Sequence, residues 1–157
     1  MQGNAAFMEQ AIALATENAS TGAGGPFGAV IVRDGKVIAT GVNCVTATND
    51  PTAHAEMIAI RRACAALKSF SLKGCVIYAS CEPCPMCLAA IYWARCDAIF
   101  YGGTAEDAAD AGFDDARLYR EAGLPVAQRS LPAINMLRDK AIASFDAWRS
   151  SANRIDY

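Results

Sequence analysis

A single histidine, His54, occurs in these 157 residues. A Ser-His or Cys-His nucleophilic triad could therefore be built only by recruiting this same ring. A basic excess is also missing: 14 Lys and Arg face 16 Asp and Glu, for a net charge of −2. Dedicated nucleic-acid binders carry a positive surplus to neutralise phosphates, so that class is disfavoured. No apolar run approaches the ~20 residues a membrane span needs. Residues 1–7 lack the basic stretch and apolar core of a signal peptide, which makes a cytosolic location the expectation. Internal repeats, low-complexity tracts and linkers are absent as well. What is there is 54% hydrophobic and 19% charged, which excludes disorder as the global state. A chain of this size buries roughly 70% of its unfolded surface. One compact, soluble domain over residues 1–157 is expected.

Cysteine, by contrast, is plentiful. Seven occur, and three crowd into Cys81-Glu-Pro-Cys84-Pro-Met-Cys87. An odd number without an export signal points to metal ligation or catalysis before disulfides. Cys44, Cys64, Cys75 and Cys96 sit among apolar neighbours and read as core thiols.

The periodicity predicts a helix over Ala5–Ala19, with Phe7, Ala11, Ile12, Leu14 and Ala15 on one face. Phe27–Val32 and Val37–Val42 flank Asp34-Gly35 and read as a hairpin. A helix is expected from about Thr52 to Leu67, with Pro51 at or just outside its first turn. Cys75–Ala79 reads as a buried strand and Pro85–Ala94 as a third helix. Ala98–Tyr101 reads as a strand stopped by Gly102-Gly103, and Ile134–Arg149 as a final amphipathic helix. A hairpin followed by strands alternating with helices implies a mixed sheet between helical layers.

The chemistry concentrates in His54-Ala-Glu56 and Pro83-Cys84-Pro-Met-Cys87. Zinc accepts imidazole nitrogen and thiolate sulfur, and three protein ligands leave a fourth position open for water. Cys84 and Cys87, three apart at a helix start, share one face, where the helix terminus and the metal both favour thiolates. Two thiolates cancel the charge of the dication and temper it as a Lewis acid, so a neighbouring carboxylate must move the proton of the attacking water. Glu56, two residues from a ligand, suits that task without ligating. The pattern is the H-x-E…P-C-x-x-C signature of zinc deaminases of nucleobases. Two alternatives stand beside it. One is a closed structural site with Cys81 as fourth ligand, which would have no need of Glu56. The other is an ordinary core histidine with inert cysteines.

The chain resembles the cytidine-deaminase-like superfamily and, within it, the small bacterial guanine deaminases, from Ala5 to its C-terminus. The stretches that carry the likeness are Gly25-Pro-Phe-Gly-Ala-Val30, Asn49-Asp-Pro-Thr-Ala-His-Ala-Glu56, Ser80-Cys-Glu-Pro-Cys-Pro-Met-Cys87, Ala90-Ile-Tyr-Trp-Ala-Arg95 and Ala111-Gly-Phe-Asp-Asp115, with Trp148-Arg149 and the final Tyr157. The zinc motifs mark the superfamily; Phe-Asp-Asp and the tyrosine-ended tail mark guanine deaminase.

The resemblance implies a three-layer α-β-α sandwich with a five-stranded mixed sheet. It also implies a homodimer whose C-terminal segments reach across or exchange. The implied reaction is hydrolysis of guanine to xanthine and ammonia at a Zn2+ held by His54, Cys84 and Cys87, with Glu56 and Asp115 catalytic. Phe27 would stack on the purine, Asn43 would hydrogen-bond its edge and Ala55 would contribute its backbone. Asp115 would contact the amino side, and Tyr157 would close the pocket. Several of these positions have plainer readings: Asn43 as a turn residue, Phe27 as core, and Asp114 and Asp115 as the end of a solvated acidic run. Trp93 reads equally as pocket wall or core. Other functions consistent with the motifs are deamination of guanosine, ammeline or tRNA adenosine, and a non-catalytic zinc-stabilised module. The net negative charge counts against the tRNA reading.

Overall fold

Asp34 and Gly35 both take positive φ, 51° and 70°, the turn that matches the twist of a two-residue hairpin. They join β1 (Gly28–Arg33) to β2 (Lys36–Val42), and one register shift leaves Ile38 as a bulge between the pairs Ile31–Ala39 and Val32–Val37. This computed structural model describes residues 2–113 and 115–157. Beyond the hairpin come β3 (Cys75–Cys81) and β4 (Ala98–Gly103). The sheet order is β2-β1-β3-β4, with β1 antiparallel to both neighbours and β3 parallel to β4.

The helices in chain order are α1 (Ala5–Ser20), α2 (Val45–Thr48), α3 (Ala55–Leu67), α4 (Pro85–Ala94), α5 (Ala105–Asp110), α6 (Asp115–Gly123) and α7 (Arg138–Ser150). Central strand β1 is buried on both faces, which explains its unbroken apolar run. Val30 and Val32 face α1, where Ala11, Phe7 and Leu14 pack with Tyr78. Ala29 and Ile31 face the opposite layer, with Ala55, Ala59 and Ala63 of α3 and Ile91 and Ala94 of α4. Fully buried Ile31, Leu72 and Ile77 each contribute about 1.5–3 kcal/mol. Gly41 lets α3 approach closely, since a Cβ there would overlap the carbonyl oxygen of Ala55.

The layered, mixed-sheet expectation is met, but the described residues form four strands, not five. The described residues cluster into two compact units, divided between Tyr119 and Arg120. The second unit supplies no strand, and 132–137 form no regular element. There Ser130 N–H donates to Glu121 Oε2 at 2.8 Å, and Arg129 Nε donates to the Leu124 carbonyl. No described residue of this unit is buried.

Other boundaries move for local reasons. α3 begins at Ala55 rather than Thr52, because Asp50 Oδ1 accepts from both the amide and hydroxyl of Thr52 and holds a turn there. β4 runs through Gly102-Gly103, where a side chain at 102 would crowd the Ser80 carbonyl. α7 starts at Arg138, after Leu137 at φ 53°, rather than at Ile134. Ile12 points outward from α1. Of the four cysteines read as core, Cys75 is buried, Cys64 and Cys96 pack half-buried against the core, and Cys44 lies half-buried beside the Val42 carbonyl. No helix of the described residues is long and apolar enough to cross a membrane.

Candidate metal centre and active site

Two helix starts meet at the C-terminal end of β3. His54 is the N-cap of α3, in extended conformation, and Cys84 is the N-cap of α4, with Pro85 in its first turn. Proline fits there because the first helical N–H has no intrahelical partner. His54 Nδ1 lies 3.7 Å from Cys84 Sγ and 3.6 Å from Cys87 Sγ. The three ligating atoms all fall within 4.8 Å of one another, the one such group among the described residues. A tetrahedral zinc with bonds of about 2.0–2.1 Å to nitrogen and about 2.3 Å to sulfur requires a nitrogen–sulfur separation of roughly 3.6 Å. The donor set fits zinc in both chemistry and spacing. Cys81 is outside the group; its thiol donates to the Thr104 carbonyl at 3.4 Å.

Glu56, in the first turn of α3, stands beside the ligands without joining them. It is 7% exposed, and its Oε2 accepts from the Cys87 thiol at 3.5 Å. Burial pushes its carboxyl above the ordinary range. The Cys84 thiol is drawn down to about 4, first by its side-chain contact with Cys87 and then by His54. Cys87 is correspondingly pushed up, by that same contact and by burial. His54 is held above its usual value, first by its bond to Cys84 and further by the charges of Cys84, Glu56 and Asp115. The ligand pair and the Glu56 carboxyl thus share a water-poor setting.

The remaining expected residues divide clearly. Phe27, half-buried, packs on the core and meets Phe113 edge-on at 4.8 Å. Its carbonyl accepts from the Asn43 amide. Asn43 is buried, and its Oδ1 accepts from Val45 N–H, which leaves the side-chain amide as its donor end. Ala55 is fully buried, its N–H among those a helix start leaves without an intrahelical partner. Asp115 opens α6, half-buried, whereas Asp114 lies outside the described residues. Trp93 is not core: with Tyr92 it is exposed on α4, beside a hollow lined also by Ala89 and Arg95. Tyr157 belongs to the second unit, where its ring meets Trp148 edge-on at 6.4 Å. Part of the acidic run proves structural, since Asp107 and Thr104 form the capping box of α5.

Three further residues brace the site. Asn18, buried at the end of α1, donates to the carbonyls of Gly25 and Asn43 and so braces both sides of the Phe27 turn. Phe113 backs Phe27. Tyr119 Oη donates to the Pro83 carbonyl at 2.8 Å. Of these only Phe113, inside the Phe-Asp-Asp stretch, carried a sequence signal.

Residues 1–103 match the cytidine and deoxycytidylate deaminase zinc-binding region. The chain belongs to that zinc-binding deaminase family. Among its relatives, the guanine deaminase of Bacillus subtilis (strain 168) is 52% identical over 96% of this chain and 97% of that protein. The X-ray structure of guanine deaminase from Bacillus subtilis superposes with a TM-score of 0.95 at 50% identity, covering 99% of both chains. A tRNA-specific adenosine deaminase of Agrobacterium fabrum (strain C58) is 51% identical, over 49% of this chain and 51% of its own length.

Proposed function

We propose that this protein hydrolyses guanine to xanthine and ammonia. The observation that carries the reading is extent. Identity near 50% is shared with a tRNA adenosine deaminase over half of the chain. The likeness to guanine deaminase runs through 96% of it and so includes most of residues 104–157, beyond the family match. That extent also favours treating both compact units as one functional deaminase domain.

The zinc held by His54, Cys84 and Cys87 would supply Lewis-acid activation of the attacking water. Water adds at the carbon bearing the exocyclic amine, the carbon–nitrogen bond breaks, and nitrogen leaves as ammonia. Glu56 takes a proton from the water and returns it to the departing nitrogen, a task its buried place beside the ligands suits. Phe27 packs against the purine face, with Phe113 as its backing. The Asn43 amide donates to an acceptor on the purine edge, and the Ala55 N–H to a second. Asp115 contacts the amino side of the base.

A cytoplasmic homodimer fits the same reading. All seven cysteines are free, as a reducing compartment keeps them. The second unit exposes Leu131, Ile134, Met136 and Phe145, apolar surface that a second copy would cover. In that assembly the C-terminal segments reach across, and Tyr157 closes the pocket over the base. A closed tail excludes water and leaves no room for a ribose at N9.

The test is ammonia release by zinc-loaded protein over a panel of guanine, guanosine, adenine, cytosine, cytidine and ammeline. Guanine should be turned over fastest, and a preference for any other member would overturn the assignment. Deleting residues 154–157 should cut guanine turnover far more than it lowers the melting temperature. Full-rate turnover by the truncated protein would remove the tail from the site.

A further inference from the structure

Asp115 must be held in place to contact the amino side of the base. Asp115 and Tyr119 stand four residues apart on α6, so both side chains lie on one helical face. Tyr119 Oη donates to the carbonyl of Pro83, the residue immediately before ligand Cys84. Glu82, one residue further back, accepts from the Ala105 amide through Oε2 at 3.1 Å, so the loop that receives the tyrosine is itself tied to the start of α5. At the front of α6, the Asp115 amide donates to the Phe113 carbonyl at 3.1 Å, and the Phe113 ring rests on Phe27. The first turns of α6, which carry Asp115, are thus held at two points, one on the wall attributed to the base and one on the loop leading into the metal centre.

We infer that Tyr119 is a positioning residue for the reaction. Its hydroxyl latches α6 to the Pro83 carbonyl and holds the Asp115 carboxylate in register with the metal centre. The inference rests on the guanine reading only for the choice of substrate. The latch is suited to this work because it is short, half-buried and made to a backbone atom that the proline and the ligating cysteine on either side keep from drifting. A hydroxyl bound in this way is not available to the substrate, so Tyr119 acts through Asp115 rather than on the reacting atoms.

Tyr119→Phe removes the hydroxyl and keeps the ring. Zinc content should remain one per chain, KM for guanine should change less than about twofold, and kcat should fall roughly three- to tenfold, the range one lost hydrogen bond can supply. In an Asp115→Asn background the same substitution should add almost nothing, because the group it positions has gone. Equal factors in both backgrounds would show Tyr119 acting independently of Asp115 and would overturn the inference, as would an unchanged kcat in the single variant. Amide hydrogen exchange on the zinc-loaded proteins gives a readout without substrate: exchange across residues 115–119 should speed up in Tyr119→Phe, and unchanged protection there would refute the latch. Should the wild-type protein prefer another substrate of the panel, the guanine assignment falls, and the cycle is run on that substrate with the same two outcomes.

Discussion

Glu56→Gln should keep its zinc and its fold while losing turnover by at least the 10²–10⁴-fold that general acid–base help typically supplies. Glutamine fills the same space but cannot accept the water's proton or return it to nitrogen. Fold should survive because the carboxyl is buried, at 7% exposure, and replacing a costly buried ionisable group by a neutral isostere carries no large penalty. The ligand atoms are untouched, since Glu56 stands beside His54, Cys84 and Cys87 rather than among them. Metal content, circular dichroism and ammonia release on one preparation decide the matter. A variant that retains activity within tenfold of wild type would assign the proton transfer to another group.

His54→Ala and Cys84→Ala should each lose zinc and activity together. Catalytic zinc is held by three protein ligands, and either change leaves two, at a site where no further His, Cys, Asp or Glu among the described residues completes the group. Cys81→Ser is the control. Its thiol is engaged with the Thr104 carbonyl, so the variant should bind one zinc per chain with turnover close to wild type. Loss of zinc there would mean a closed site of three cysteines and one histidine, and the hydrolytic reading would go with it.

The metal centre was legible because ligation restricts residue type. One histidine, a CxxC pair opening a helix and a carboxylate two residues from the ligand leave little freedom. The hairpin was legible for a similar reason, since Asp34-Gly35 specifies positive φ at both positions. The starts of α3 and α7 were misread by a few residues because apolar periodicity does not register an Asx-type turn at Asp50 or a left-handed residue at Leu137. The latch of Tyr119 was invisible: its partner is a backbone carbonyl 36 residues away, and backbone atoms leave no mark in a sequence. Asn18 was hidden in the same way, as a polar residue near a helix end that bonds only to carbonyls. The fifth strand rested on likeness alone, and the described residues beyond α6 form none.

Gly41 bears on how any mutational map of this protein should be interpreted. Its missing side chain is where β2 and the first turn of α3 touch, under Ala55 and one residue from the zinc ligand. A methyl group at 41 has no flexible neighbour to displace, because what it meets is the Ala55 carbonyl and the Ala59 amide. The helix start must then shift as a body, carrying His54 and Glu56 with it. A screen scored on ammonia release would rank this position with the ligands, although nothing at 41 touches a substrate. Distance from the reacting atoms is therefore a poor guide to tolerance on this side of the sheet.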